Sequence, residues 1–177
     1  YNISIGDQAS YNNQTGNNNV TIGREAARGA TNQSHSDNIA IGSLASYAIT
    51  TGDDNIAIGT SSLQSITSGV YNVAMGSYAG DALTTTQSTV VIGYQAGSAI
   101  NHTDADGTVA VGYRALQDCT SGGSNVAIGL NALKEISTQS NNVAVGREAA
   151  ASLTASDSIA IGKRALYVHT TGAYNIA

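Results

Sequence analysis

SNVAIGLNALKEIST (residues 124–138) holds an aliphatic–small–aliphatic triplet, a glycine, and an alanine three residues further on. The same order recurs in DNIAIGTSSLQSIT (54–67), YNVAMGSYAGDALT (71–84) and GTVAVGYRALQDCT (107–120). The glycine after the triplet falls at Gly6, Gly23, Gly42, Gly59, Gly76, Gly93, Gly112, Gly129, Gly146 and Gly162, in steps of 17, 19, 17, 17, 17, 19, 17, 17 and 16 residues. So regular a period marks a repeat architecture. The chain therefore reads as one repeat domain over 1–177. It opens and stops inside a unit, which gives the expectation of a segment cut from a longer fibre.

Stacking the units produces columns. The residues three and one before the glycine are Ile or Val almost throughout, and the residue between them is nearly always small. Alternation with period two predicts a strand of three to five residues with Ile and Val on one face. Alanine recurs three residues after the glycine and an aliphatic residue seven after it, followed by polar runs such as TTGDDN (50–55) that carry turn chemistry. Leucine-rich repeats need 20–29 residues for strand plus helix. Seventeen fit two short strands joined by two turns, so each unit is expected to be one coil of a parallel β-solenoid. Ten coils at about 4.8 Å make a rod roughly 48 Å long. Like residues then lie above like, which suits the Asn column (Asn2, Asn19, Asn38, Asn55, Asn72, Asn125, Asn142) to a ladder of side-chain amides.

A 17-residue coil encloses a thin core. With Ile and Val assigned to it, the alternating small column (Ala40, Ala57, Ala74, Ala110, Ala127, Ala144, Ala160) is expected to point outward. Such a row invites close packing against another surface, most simply a copy of the same chain.

Composition narrows the function. Charged residues are 11%, net charge is −5, and the seven Lys and Arg are scattered. Nucleic acid and polybasic membrane binding are disfavoured, and no apolar run approaches a bilayer span. One Cys cannot form an intrachain disulfide. No acid/base pair or nucleophile stands out from the repeat, so neither an enzyme nor a cofactor is expected.

The motif Asn-x-Val/Ile-Ala-Ile/Val-Gly-x-x-Ala, clearest in NNVAVGREA (141–149), SNVAIGLNA (124–132) and DNIAIGSLA (37–45), resembles the head repeats of trimeric autotransporter adhesins. The resemblance spans essentially the whole chain. It implies a left-handed parallel β-roll packed as a homotrimer, extracellular, attaching to a host surface protein or glycan. The adhesin units are commonly nearer fourteen residues. The longer form here, with GYQAG (93–97), GYRAL (112–116) and TTGAYNIA (170–177), looks more like repeats of bacteriophage tail fibres. The alternative is a monomeric solenoid binding ice or carbohydrate through a flat face, with the Thr column (Thr31, Thr50, Thr67, Thr84, Thr120, Thr154, Thr170) as the ice candidate.

Several residues invite chemistry. His35, His102 and His169 recur every 67 residues, but four coils separate them, on the order of 19 Å, so they share no ion within a chain. Cys119 falls in an aliphatic column and reads as a buried thiol. NHTDADGT (101–108), with Asp104, has a calcium-loop flavour but lacks the closing Glu of an EF-hand. The tyrosines at turn positions, above all Tyr78, Tyr94 and Tyr113, with His102 and Asp104, are the candidates for surface binding, since Tyr combines large area with a polar tip.

Overall fold

The structure, a computed structural model, describes residues 1–168 and 172–177. His169 and Thr170 lie outside the described residues. Ten three-residue strands occur in order: β1 (Ile3–Ile5), β2 (Val20–Ile22), β3 (Ile39–Ile41), β4 (Ile56–Ile58), β5 (Val73–Met75), β6 (Val90–Ile92), β7 (Val109–Val111), β8 (Val126–Ile128), β9 (Val143–Val145) and β10 (Ile159–Ile161). They form one parallel sheet in sequence order. Pairing is column on column, with Val109 opposite Val126 and Ala110 opposite Ala127. The chain is an all-β solenoid with one strand per coil.

The second strand expected in each coil is replaced by turns. After Gly42, Ala45 N donates to Gly42 O, Tyr47 N to Leu44 O and Ile49 N to Ser46 O. Between these turns the alternate N–H groups reach neighbouring coils: Leu44 N donates to Arg24 O at 3.0 Å, and Ser46 N to Ser62 O at 2.9 Å. This reach requires left-handed backbone two and four residues after the glycine, with φ of 60° at Leu44 and 49° at Ser46. Each such residue costs on the order of 1 kcal/mol, offset by the coil-to-coil hydrogen bond that its own amide makes. Side-chain period alone does not separate this ladder from a strand.

The orientation of the strand is the reverse of the expected one. Ala40, Ala57, Ala74, Ala110, Ala127 and Ala144 are fully buried within the single chain, and Ala160 nearly so. They face the interior and cannot be an interface between copies. The Ile and Val columns face outward. Thinness is the cause. The space between the sheet and the turn layer already holds large side chains from the turn half, such as Leu63, Ile66, Leu116 and Ile136, and only a methyl group fits beneath the strand.

Coil β6 shows how strict that limit is. Val91 occupies the alanine column and is fully buried. Four residues after the strand glycine, where other coils carry Leu63, Leu116 or Leu133, the positions flanking Val91 are Gly80 and Gly97. A Cβ at Gly80 would lie 3.0 Å from Val91 Cγ2, and one at Gly97 2.7 Å from Val91 Cγ1. The larger residue in one layer is matched by emptiness in the other.

Two columns lock the coils axially. At Gly42, φ is +135° and a Cβ would sit 2.5 Å from the Gly59 carbonyl oxygen one coil on, so the corner excludes side chains. The Asn column is a working ladder. Asn55 Oδ1 accepts from Asn72 N at 3.0 Å and from Asn72 Nδ2 at 3.1 Å, while Asn72 Nδ2 also donates to Thr86 O at 2.7 Å. Thr89 and Thr108 interrupt it. Thr108 is fully buried and its Oγ1 has no partner. The two long coils swell at the turn before the strand: one holds His35, the other a 3-10 turn, Thr103–Ala105.

Two outcomes follow. Gly97→Leu should destabilise by about 2–3 kcal/mol from overpacking. Adding Val91→Ala should recover part of that loss, because Ala beneath Leu is the arrangement of neighbouring coils; urea unfolding of the four proteins reads the coupling. Thr108→Asn should restore the ladder with Nδ2 facing the Gly122 carbonyl. A gain of about 1 kcal/mol corresponds to about 2–4 °C in Tm, which calorimetry resolves.

Candidate functional site

Among the described residues no pocket opens in the surface and no group of three or more His, Cys, Asp or Glu could hold a metal ion. What the rod presents is its outside. Two rows of Ile and Val run the length of the sheet's outer face, with Ile128 and Met75 each 40% exposed. Stacking hides the flanks of each side chain behind its neighbours, so most members are only part exposed although the row as a whole is open.

Beside this face the tyrosines gather. Tyr94 and Tyr113 stack with ring centroids 5.5 Å apart and planes at 16°. Tyr78 meets Tyr94 edge-on at 6.2 Å. The Arg114 guanidinium lies 5.1 Å from the Tyr113 centroid, its Nε donating to Gln95 Oε1 at 3.0 Å. A pyranose docks by lying flat on an aromatic face, and here Tyr94 and Tyr113 each turn a face to the other. The three side chains remain 40–45% exposed, an arrangement suited to protein contact.

His102 and Asp104 are not part of that cluster. They belong to the turn before β7, whereas the tyrosines follow the strand glycines. His102 Nδ1 accepts from Asp104 N at 3.2 Å and lies 3.3 Å from Asp104 Oδ2, a local pair with both side chains mostly exposed.

The remaining candidates have structural work. Cys119 is buried, its Sγ directed at the Gly122 carbonyl, and burial pushes its pKa up to about 11, so the reactive thiolate is scarce at neutral pH. In the Thr column, Thr50 and Thr67 Oγ1 donate to the carbonyls of Thr67 and Thr84 at 2.9 and 3.1 Å, which commits those protons to the ladder. Glu148 joins two coils: Arg164 Nε donates to its carboxylate at 2.5 Å, and Arg147 binds it as well, which holds the Glu148 pKa below its usual value.

The sequence reading took His35 for a solvated turn residue, and the structure buries it. It occupies the column of Gly16, Gly52 and Gly69 and is 1% exposed, with Nδ1 3.4 Å from Asn19 Oδ1. Its glycine neighbours were the available signal, since a large residue in a glycine column has nowhere to go but inward.

No family model, curated protein or solved structure matches the chain.

Burial of His35 lowers its pKa below 6.5, outweighing upward pulls from the Ala27 backbone and Asp53. The unfolded chain therefore takes up a proton at a pH where the folded chain does not, and stability falls as pH drops below about 6.5. Thermal melts from pH 7 to pH 5 should show a declining Tm, and His35→Gln should flatten that slope.

Proposed function

We propose that the chain is a structural and attachment segment of an extracellular homotrimeric fibre, assembled through the outer Ile/Val face of the sheet. The observation that carries this reading is that face. A row pair about 48 Å long and roughly 10 Å wide covers on the order of 500 Å², at the upper end of what monomers leave open. The count of three and the attachment role rest on the resemblance of the NxVAIG-x-x-Ala units to trimeric adhesin heads and phage tail fibres. Three flat faces around one axis bury one another in a prism, and the outer corners repeat surface chemistry in triplicate, so weak contacts with a host surface add by multivalency.

The interior alanines do not take part; their contribution is to let the coil be thin and the face flat. The tyrosine cluster is the place where the apolar surface spreads past the strands, and protein–protein contact is the use its geometry favours.

Light scattering tests the reading directly. The particle mass should lie near three times 17.9 kDa. Ile58→Lys combined with Val109→Lys puts two cations on the outer face and should give a monomer of unchanged circular dichroism. A wild-type monomer, or a trimer indifferent to those substitutions, overturns the proposal.

A further inference from the structure

The asparagine ladder that ties coil to coil is broken at β6 and β7. Thr89 Oγ1 donates to Gln87 O within its own coil at 3.2 Å, and Thr108 Oγ1 has no partner. Neither threonine carries the ladder on to the next coil.

At the other end of the same two strands stand the stacked tyrosines. Tyr94 and Tyr113 each follow directly on the strand glycine, Gly93 and Gly112. The strands pair Ile92 with Val111, and Arg114 N donates to Tyr94 O at 3.0 Å, so the two side chains leave adjacent coils in register. Their planes lie at 16° with centroids 5.5 Å apart. Tyr78, two residues after its glycine, meets Tyr94 at 85°, edge to face. Among the described residues no other tyrosine pair is in ring contact. The chain has no Trp, one Met and one Cys, and that Cys is buried. A one-electron oxidant therefore finds its readily oxidised groups among the phenols.

We propose that Tyr94 and Tyr113 are an oxidative cross-linking site, at which a one-electron oxidant such as a haem peroxidase with hydrogen peroxide joins the two rings and staples the coil of β6 to that of β7. Each phenol gives up one electron and one proton, leaving two phenoxyl radicals. Their unpaired density lies partly on the Cε carbons ortho to oxygen, and coupling forms a Cε–Cε bond. The hydrogen on each joined carbon then shifts to oxygen, which restores both phenols. The two electrons and two protons reduce one hydrogen peroxide to two waters. Side chains in register on coils about 4.8 Å apart reach the bonded geometry by rotation about χ1 and χ2, and both rings are exposed enough to turn. Contact within one chain gives each radical a partner at far higher effective concentration than a second chain offers. The staple supplies across this junction the axial tie that Thr89 and Thr108 omit. It lies within one copy and does not depend on how many copies assemble.

Treatment with peroxidase and hydrogen peroxide tests it. The wild-type chain should gain dityrosine fluorescence and lose two hydrogen atoms in mass, while its denatured mass stays that of one chain. Cleavage before aspartate leaves Tyr94 in residues 81–103 and Tyr113 in 106–117, and these two peptides should emerge joined. Tyr113→Phe keeps the ring and removes the phenol, and should abolish the joined peptide; Tyr78→Phe should leave it. The bond closes a loop of about 20 residues and should raise the Tm by about 5–10 °C. Bonds scattered over other tyrosines, a bond between copies, or no bond overturns the site. A joined chain with an unchanged Tm overturns its axial role.

Discussion

Everything in this molecule depends on one coil resting on the next at the spacing of a parallel β-ladder, about 4.8 Å. At that distance each residue has its own counterpart as nearest neighbour, above and below. A side chain is therefore acceptable only if it tolerates a copy of itself or is compensated one coil away. The strand glycines satisfy this by having no Cβ to meet the next carbonyl. The asparagines satisfy it by donating and accepting at once. A single coil has neither partner and buries almost nothing, so stability belongs to the stack.

The same spacing explains what could be read from the sequence. Period, strand position, parallel in-register pairing and the amide ladder are all statements about residue i against residue i+17, and these are visible in one dimension. Which side of the strand faces inward is a question of volume across the coil, between the strand and the turn half of the same unit. Alternation of Ile, Ala and Ile is symmetric under exchange of inside and outside. The deciding fact is that Leu63, Ile66 and their equivalents already fill the lumen, and the turn half had been expected to be a strand. The left-handed residues there, at Leu44 and Ser46 among others, carry no marker in their amino-acid type. The tyrosines were legible as an exposed set, but their mutual stacking was not, because Tyr78 stands one position out of column from Tyr94 and Tyr113.

Turning the strand over moves the sticky surface from a row of methyl groups to two rows of branched side chains. Alanine on the outside would favour very close backbone approach. Ile and Val on the outside offer far more apolar area with little rotamer freedom to lose. The interior is correspondingly modest, and polar side chains such as Asn38, Asn55 and Thr86 are fully buried in it, the asparagines satisfied by the ladder and the Thr86 hydroxyl by the His102 carbonyl.

The match between Val91 and its flanking glycines bears on how such a chain can grow. Repeat proteins lengthen and shorten when recombination joins one unit to the homologous point of another. Units with Ala in the strand and Leu in the turn are interchangeable, and joining them adds or deletes a coil without disturbing its neighbours. The unit carrying Val91 is complete only with the glycine of the unit before it. A crossover between Gly80 and Val91 hands the valine to a neighbour that carries leucine, and the hybrid coil is overfilled. This stretch of the rod is inherited as a pair of units, a fixed point in an array otherwise free to change length.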